Sequence, residues 1–245
     1  MARELRRLWM PPEQLQGDRW VFNPEQRHYL QRVLRLKPGD RCAVIDGRGG
    51  LWTAELGDRE QLIVVEAAPV VPPPQPRLTL IQGLPKQGFD EVIRQATELG
   101  VTTIQPVISD RSQVRAEAQK VDRWRKIAIE ASEQSERLYL PQIEPIRSGA
   151  DVIAQTSSDS LRCICLARRS LPNLLPWLQA QPAWTDLAIA IGPEGGWSDA
   201  EIEQAIAAGW SPVSLGTSIL RAVTAPIVAL SVVQAVAATR RWITD

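Results

Sequence analysis

Short apolar runs alternate with segments of helical periodicity across the last two thirds of the chain. RLTLIQGL, VTTIQPVIS, LRCICLA and LAIAIG are such runs, and the last two are typical of parallel strands covered on both faces. FDEVIRQATELG has apolar residues at helical spacing, namely Phe89, Val92, Ile93, Ala96 and Leu99. Residues 121–136 repeat this spacing with Trp124, Ile127, Ala128 and Ala131. This alternation of strand and helix predicts an α/β fold with a parallel sheet.

A further helix is predicted after GPEGGW. Ser198 is expected to cap it, and Glu201, three residues later, completes a capping box. Gly209 ends the helix, and its predicted core-facing residues are Ile202, Ala205 and Ile206.

The first 70 or so residues predict mainly strands. RCAVIDGRGGLWTAEL contains two short strands around a glycine-rich turn, which is a hairpin signal, and QLIVVEA is a third strand. A helix is expected to begin at Pro24 with Asn23 as its cap. Its basic side carries Arg27, His28, Arg32 and Arg35. A small barrel with a basic helix face suits a nucleic-acid accessory module, and a merely solvated helix face is the alternative.

Prolines separate these two parts of the chain. APVVPPPQPR, at residues 68–77, cannot continue a helix or a central strand, so it is expected to be a stiff linker. We therefore predict a first domain at residues 1–71, a linker at 72–76 and a second domain at 77–245.

Composition narrows the function only slightly. The 245 residues are 44% hydrophobic, which is globular composition, and the 28 basic residues balance the 28 acidic ones. The three cysteines have no metal-type spacing, so neither a disulfide framework nor a bound metal is expected. The first ten residues lack the apolar run of a signal peptide, and the uncharged residues 222–238 contain Thr, Pro, Ser and Gln. These features favour a cytoplasmic protein with a buried C-terminal helix and no membrane partner.

The candidate chemistry lies in two glycine turns, GPEGG at residues 192–196 and LGTSIL at 215–220. Each follows a predicted parallel strand, and ligands bind beyond the carboxyl ends of such strands. Glycine allows close backbone approach, so these turns suit a flat, polar ligand such as an adenine ring. Phosphate is the alternative ligand, but Glu194 would repel it and no phosphate-loop motif is present. Taken alone, GPEGG is also compatible with an ordinary turn.

In combination, these segments resemble a known family. IGPEGGWSDAEIEQAIAAGW, PVSLG and SILRAVTAP closely resemble the signature of the RsmE family in the SPOUT superfamily. LPKQGFDEVIRQATELGV, SDRSQV, RWRKIAIEASEQSER and HYLQRVLRLKPGD match as well, so the resemblance extends over essentially the whole chain. It implies an S-adenosylmethionine-dependent methyltransferase that modifies ring nitrogen N3 of a uridine in the decoding region of 16S rRNA in the small ribosomal subunit.

The resemblance also implies an architecture. A PUA-like RNA-binding barrel would precede a SPOUT domain whose C-terminal segment forms a deep trefoil knot. Two copies would form a homodimer, packed partly through the last helix. The implied nucleic-acid partner is RNA and not DNA.

Individual residues receive roles from the same resemblance. The cofactor-binding positions are Leu166, Ala167, Gly192, Pro193, Glu194, Gly195, Gly196, Leu215, Gly216, Ser218, Ile219 and Leu220. Arg221 follows at the edge of the active site, where its guanidinium would stabilise negative charge on the uracil ring. RNA contacts are expected from the basic side of the N-terminal helix and from Glu98, Arg111, Gln134 and Arg137, for which structural ion pairing is the alternative.

Val223 departs from the family pattern, which commonly has a glutamate at this position of ILRxETA. Without that carboxylate Arg221 is less constrained, and no general base is evident, because the only histidine, His28, lies in the predicted RNA-binding domain. One alternative function is a non-catalytic RNA-binding factor in ribosome assembly, which only Val223 supports. Another is an α/β enzyme that uses a nucleotide phosphate, which Glu194 disfavours.

Overall fold

The computed structural model describes residues 5–33, 35–57, 61–115 and 117–240. The chain divides into two compact units, which we describe separately. The first unit comprises Met1–Pro73 and Ser132–Leu140, and the second comprises Pro74–Ala131 and Pro141–Asp245.

Six strands, numbered along the chain, form the open sheet of the first unit. In hydrogen-bonding order they are β1 (Arg7–Trp9), β4 (Arg41–Ile45), β5 (Leu51–Leu56), β6 (Gln61–Ala67), β3 (Arg19–Val21) and β2 (Leu15–Gln16). β1 and β4 are parallel, and the other neighbours are antiparallel. The predicted hairpin is confirmed by β4 and β5. Its apolar face packs on a core that includes the fully buried Trp20, Leu30 and Cys42.

The predicted helix start at Pro24 is also confirmed, in α1 (Pro24–His28). The Asn23 side chain accepts a hydrogen bond from the Gln26 backbone N–H at 2.9 Å, and the Gln26 side chain accepts one from Asn23 N–H at 2.8 Å. This capping box satisfies two of the donors that a helix N-terminus leaves unpaired. The α-helix is shorter than expected, because the chain continues as one π-helical turn over Tyr29–Val33.

The sheet of the second unit is parallel throughout, as the apolar runs predicted. Its strand order is β10 (Arg147–Ser148), β8 (Thr103–Ile108), β7 (Arg77–Gly83), β12 (Asp186–Ile191), β11 (Leu161–Cys165) and β13 (Ser211–Val213), and β9 (Gln142–Ile143) also pairs with β8. The predicted α/β fold with a parallel sheet is therefore confirmed.

Helices cover both faces of this sheet. They are α2 (Phe89–Glu98), α3 (Gln119–Gln134), α4 (Gly149–Gln155), α5 (Leu174–Ala180), α6 (Asp199–Ala207) and α7 (Ala225–Thr239). The larger core lies under α2, α3, α5 and α7, and a smaller one lies under α4 and α6. For the part of the chain that is described, no helix combines the length and apolarity of a membrane span.

For α6, the prediction that Ile206 belongs to the core is wrong. Ile202 and Ala205 are buried, but Ile206 is 50% exposed. The residues of α6 that join the core cluster are Ile202 and Ala205, and Ile206 lies beside that stripe on the solvent side.

Candidate active site

Five loops leave the same edge of the second sheet, because all its strands are parallel. We call this side the loop edge. Its loops follow β7, β8, β11, β12 and β13, and they comprise residues 84–88, 109–118, 166–173, 192–198 and 214–224. Ligands of open parallel sheets bind beyond this end of the strands.

The GPEGG turn is packed tightly against the end of β7. A Cβ atom on Gly83 would lie only 2.5 Å from Cδ of Pro193, so glycine is required where the two backbones meet. The turn is closed by a 2.9 Å hydrogen bond from Gly196 N–H to the Pro193 carbonyl. Gly196 has φ +70°, and a Cβ there would meet nothing within 4 Å. Its backbone thus borders open space beside the sheet.

The loop after β13 presents a second open glycine. Gly216 has φ +126°, which L side chains rarely adopt, and a Cβ there would also meet nothing within 4 Å. The Ser214 hydroxyl accepts from Gly216 N–H at 3.1 Å and fixes the turn. Ile219, a predicted cofactor-binding residue of this loop, is 61% exposed.

Hydrogen bonds connect this loop to the one after β11. Leu166 N–H donates to the Val213 carbonyl, and Ser214 N–H donates to the Pro172 carbonyl, both at 2.9 Å. Leu166 is buried and Ala167 is exposed. The three predicted cofactor loops therefore lie on adjacent strands, in the order β12, β11, β13.

Two polar contacts tie GPEGG to the loops on its other side. The Glu194 carboxylate accepts a 2.9 Å hydrogen bond from the backbone N–H of Lys86. Arg111 donates from its guanidinium to the Gly195 carbonyl at 3.3 Å. Glu194 thus has a structural partner in the loop after β7, a role that the sequence did not reveal.

Gln82 is a buried polar residue that the sequence analysis missed. It has 0% exposure at the end of β7, and its amide donates to the carbonyls of Gly83 at 2.9 Å and Ala222 at 3.4 Å. Its side-chain oxygen is buried without a described partner. Because Ala222 follows Arg221 directly, Gln82 connects the central strand to the segment that carries the predicted catalytic arginine. A glutamine at the end of an apolar strand was the available signal.

Arg221 is exposed and unpaired within the described chain. None of its side-chain nitrogens makes an ion pair or hydrogen bond with a described residue, while its carbonyl accepts from the N–H groups of Thr224 and Ala225 at 2.9 Å. Val223 is partly buried against the core, and its Cγ1 would lie 3.1 Å from a Cβ built on Gly88. Position 223 therefore faces the N-terminus of α2, where Gly88 is the cap residue.

Glu201 joins two of the loops from inside the structure. It is 3% exposed, and its carboxylate accepts from Ser198 N–H at 2.8 Å and from Asp110 N–H at 3.0 Å. The Ser198 hydroxyl accepts from Glu201 N–H at 3.2 Å and donates to Asp110 at 2.6 Å. The predicted capping box is confirmed, and it also holds the loop after β8.

Replacing Glu201 with alanine is expected to lower the free energy of unfolding by about 2–3 kcal/mol, because buried donors lose a charged acceptor. Urea denaturation of the whole chain measures this. Glu203→Ala is the matched control, since Glu203 is exposed on the same helix, and it should leave stability nearly unchanged. Equal effects of the two substitutions would contradict a structural role for Glu201.

The predicted RNA-binding residues are divided between the two units. In the second unit, Arg111 lies at the loop edge, but Glu98 ends α2, which runs back from that edge, so Glu98 lies roughly 15 Å away at the opposite edge. Gln134 and Arg137 belong to the first unit, as do the four residues of the N-terminal helix. Burial lowers the pKa of Arg137 to about 10, which leaves it charged at neutral pH.

Two of the three cysteines, Cys42 and Cys163, are buried in the hydrophobic cores. Burial raises the pKa of the Cys42 thiol to about 12, and burial also raises that of Cys163, so both stay protonated and unreactive near neutral pH. In the described ranges, no three His, Cys, Asp or Glu side chains are grouped to hold a metal ion.

Family comparisons agree with the two-part organisation of the chain. A model of an RNA methyltransferase domain matches residues 72–234, and one of an RNA methyltransferase PUA domain matches residues 22–66. A ribosomal RNA small subunit methyltransferase E of Synechocystis sp. is 43% identical over 236 residues, which cover 94% of this chain and 77% of that protein.

Solved structures are similar over almost the full length. Ribosomal RNA small subunit methyltransferase E from Neisseria gonorrhoeae, bound to S-adenosylmethionine, is 31% identical with a TM-score of 0.82, covering 95% of this chain and 98% of that one. A Legionella pneumophila methyltransferase in complex with S-adenosylmethionine is also 31% identical with a TM-score of 0.82, covering 96% and 98%.

Proposed function

Because the chain belongs to the RsmE family of RNA methyltransferases, we propose that it transfers a methyl group from S-adenosylmethionine to ribosomal RNA of the small subunit. One observation carries this proposal: two open glycine turns and an unpaired arginine occur together at the loop edge. The relatives described as bound to S-adenosylmethionine support the choice of cofactor.

The residues at the loop edge fit this cofactor. Gly196 and Gly216 expose backbone to open space, and Ile219 offers an apolar surface, which together suit the polar edges and flat face of an adenine ring. We assign binding to the three loops that follow β11, β12 and β13. When bound, the cofactor supplies a methyl group on a positively charged sulfur, which is open to in-line displacement.

The protein's part in that displacement is alignment and electrostatics. We propose that the acceptor is ring nitrogen N3 of a uridine in the decoding region of 16S rRNA. This nitrogen becomes nucleophilic as its proton leaves, and negative charge then spreads to the neighbouring carbonyl oxygens. Arg221, unpaired in the described chain, is available to stabilise that charge. Solvent or an RNA phosphate is the proton acceptor, since no side chain in the loops is an evident base.

The remaining family properties complete the proposal. We assign RNA binding to the first unit through its exposed His28, Arg32 and Arg35, together with the half-buried Arg27. We further propose a homodimer that packs partly through α7, a trefoil knot formed by the C-terminal segment, and action in the cytoplasm, where ribosomes assemble.

A methylation assay tests the function. Small ribosomal subunits that lack the modification should acquire one methyl group per particle, and mass spectrometry of nuclease fragments should place it on uridine N3. If the chain does not bind S-adenosylmethionine and transfers no methyl group, but still binds the subunit, it is an assembly factor instead.

A further inference from the structure

Charge is distributed unequally between the two edges of the second sheet. The five loops of the loop edge contain six basic residues against three acidic ones. The turns that enter β8, β11, β12 and β13 at the opposite edge, residues 99–102, 156–160, 181–185 and 208–210, contain a single charge, Asp159. The five loops therefore carry a formal charge of +3, which the neutral overall composition conceals.

The three acidic residues of the loop edge are already engaged. The Asp110 carboxylate accepts from the Ser198 hydroxyl at 2.6 Å, and Glu194 accepts from Lys86 N–H at 2.9 Å. Glu117 pairs with Lys120 at 3.0 Å. None of the three forms an ion pair with a described basic side chain of the loops, so the loops keep their formal excess of three positive charges.

Four basic side chains at this edge have no described partner. One is Arg221, to which a catalytic role is already assigned. The other three, Lys86, Arg115 and Arg168, have no assigned role, and we call them the cationic rim. All three are exposed, and within the described residues none of their side chains forms an ion pair or hydrogen bond. Unpaired arginine and lysine side chains of this kind are the usual ligands of nucleic-acid phosphates.

The backbone positions of two rim residues are held by specific contacts. Lys86 is fixed through its N–H bond to Glu194, while its ammonium group stays free. Arg168 has φ +61°, a left-handed conformation that is unfavourable for arginine. Strained backbone of this type is found preferentially at functional sites, and here it lies between the hydrogen-bonded residues Leu166 and Pro172.

The rim residues come from loops that follow three different strands of the sheet. These strands are β8, β7 and β11, and β12 lies between the last two. With neighbouring strands about 4.8 Å apart, the strand ends from which the rim loops leave extend over roughly 14 Å. Cations that come from separate loops spread over this width suit successive phosphates of an extended chain better than one compact anion.

We propose that Lys86, Arg115 and Arg168 bind the phosphates of the RNA that flanks the target nucleotide. This inference rests on the proposed function, because it assumes an RNA substrate at the loop edge. The rim supplies affinity without sequence selectivity, whereas Arg221 acts on the reacting base.

The test replaces all three rim residues with glutamine in the full chain and measures binding of a small-subunit rRNA fragment over a range of salt concentrations. The slope of log affinity against log salt should fall by about 2, because each contact to single-stranded RNA contributes roughly 0.7. The KM for RNA should rise while kcat at saturating RNA and the affinity for S-adenosylmethionine stay close to those of the unmodified chain.

A second triple variant, Arg77→Gln, Arg94→Gln and Arg162→Gln, is the matched control. It removes the same charge, but Arg77 pairs with Asp186, Arg94 pairs with Glu91, and Arg162 donates to the Thr156 carbonyl. Equal salt slopes for the rim and control variants would overturn the proposal. So would a rim variant that loses affinity for polyglutamate but not for RNA, which would indicate an acidic protein partner.

The proposed function can fail separately from this inference. If the unmodified chain binds no S-adenosylmethionine and transfers no methyl group, the enzymatic assignment fails, while a salt-dependent loss of RNA binding in the rim variant would still stand.

Discussion

Replacing Arg221 with alanine is expected to slow single-turnover methyl transfer by about a hundredfold to a thousandfold, as is typical when one preorganised charge-stabilising donor is lost. The affinity for S-adenosylmethionine should stay near that of the unmodified chain, because the predicted cofactor contacts come from neighbouring backbone. Arg221 is exposed, and its side chain makes no described contact, so its removal should not alter the fold. Rapid mixing with excess enzyme, calorimetry and thermal unfolding measure the three quantities.

A lysine at position 221 separates the contribution of the positive charge from that of the planar guanidinium. Arg221→Lys keeps the charge but loses the planar fork of donors, so it should recover only part of the rate. Arg94→Ala is the control, since Arg94 is paired with Glu91 on α2 and should have no effect on the chemical step. Full activity in Arg221→Ala would remove this residue from the mechanism.

Position 223 provides a companion experiment. Val223 lies against Gly88 at the start of α2, so a glutamate there would face the helix N-terminus, which favours negative charge. If such a carboxylate orients Arg221, Val223→Glu should hold or raise the rate, and this effect should vanish when Arg221 is alanine. An effect that is the same with and without Arg221 would indicate that the two positions act independently.

The elements of the fold could be predicted because each depends on local pattern. Apolar runs without a polar face specify buried parallel strands, and Ser198 with Glu201 specifies a capped helix start, since both signals act over a few residues. The same holds for Asn23 and Gln26 in the first unit. The prediction that Ile206 faces the core was wrong, because helical spacing alone does not say how far the buried stripe extends around α6.

Contacts between distant segments could not be predicted in this way. Gln82 and Ala222 are 140 residues apart, and Lys86 is 108 residues from Glu194, so no local pattern reports their hydrogen bonds. Glu98 and Arg111 were both predicted to contact RNA, and no local pattern reported that the direction of α2 places them at opposite edges of the sheet. The net positive charge of the loop edge could not be predicted either. Its charged residues come from five separate loops, and the excess is balanced by acidic residues elsewhere in the chain.

The glycine turns themselves remain a prediction, and the structure indicates which glycine tests it best. A Cβ on Gly192 would lie 3.0 Å from the backbone of Gly196, so a side chain there would deform the turn itself. At Gly216, φ +126° would strain any other residue. Gly196 is preferable, because its φ of +70° lies in the left-handed region and its Cβ would point into open space.

Replacing Gly196 with leucine is expected to weaken S-adenosylmethionine binding by about tenfold to a hundredfold or more, since an added side chain in a fitted site costs about 1–3 kcal/mol. Gly17→Leu is the matched control. Gly17 has φ +65° and open space at its Cβ, but it lies in the first unit. Both variants should lose about 1–2 kcal/mol of stability through the left-handed backbone, and only Gly196→Leu should lose the cofactor. Calorimetry and urea denaturation separate the two effects. If both variants bind S-adenosylmethionine like the unmodified chain, the cofactor does not lie against the GPEGG turn.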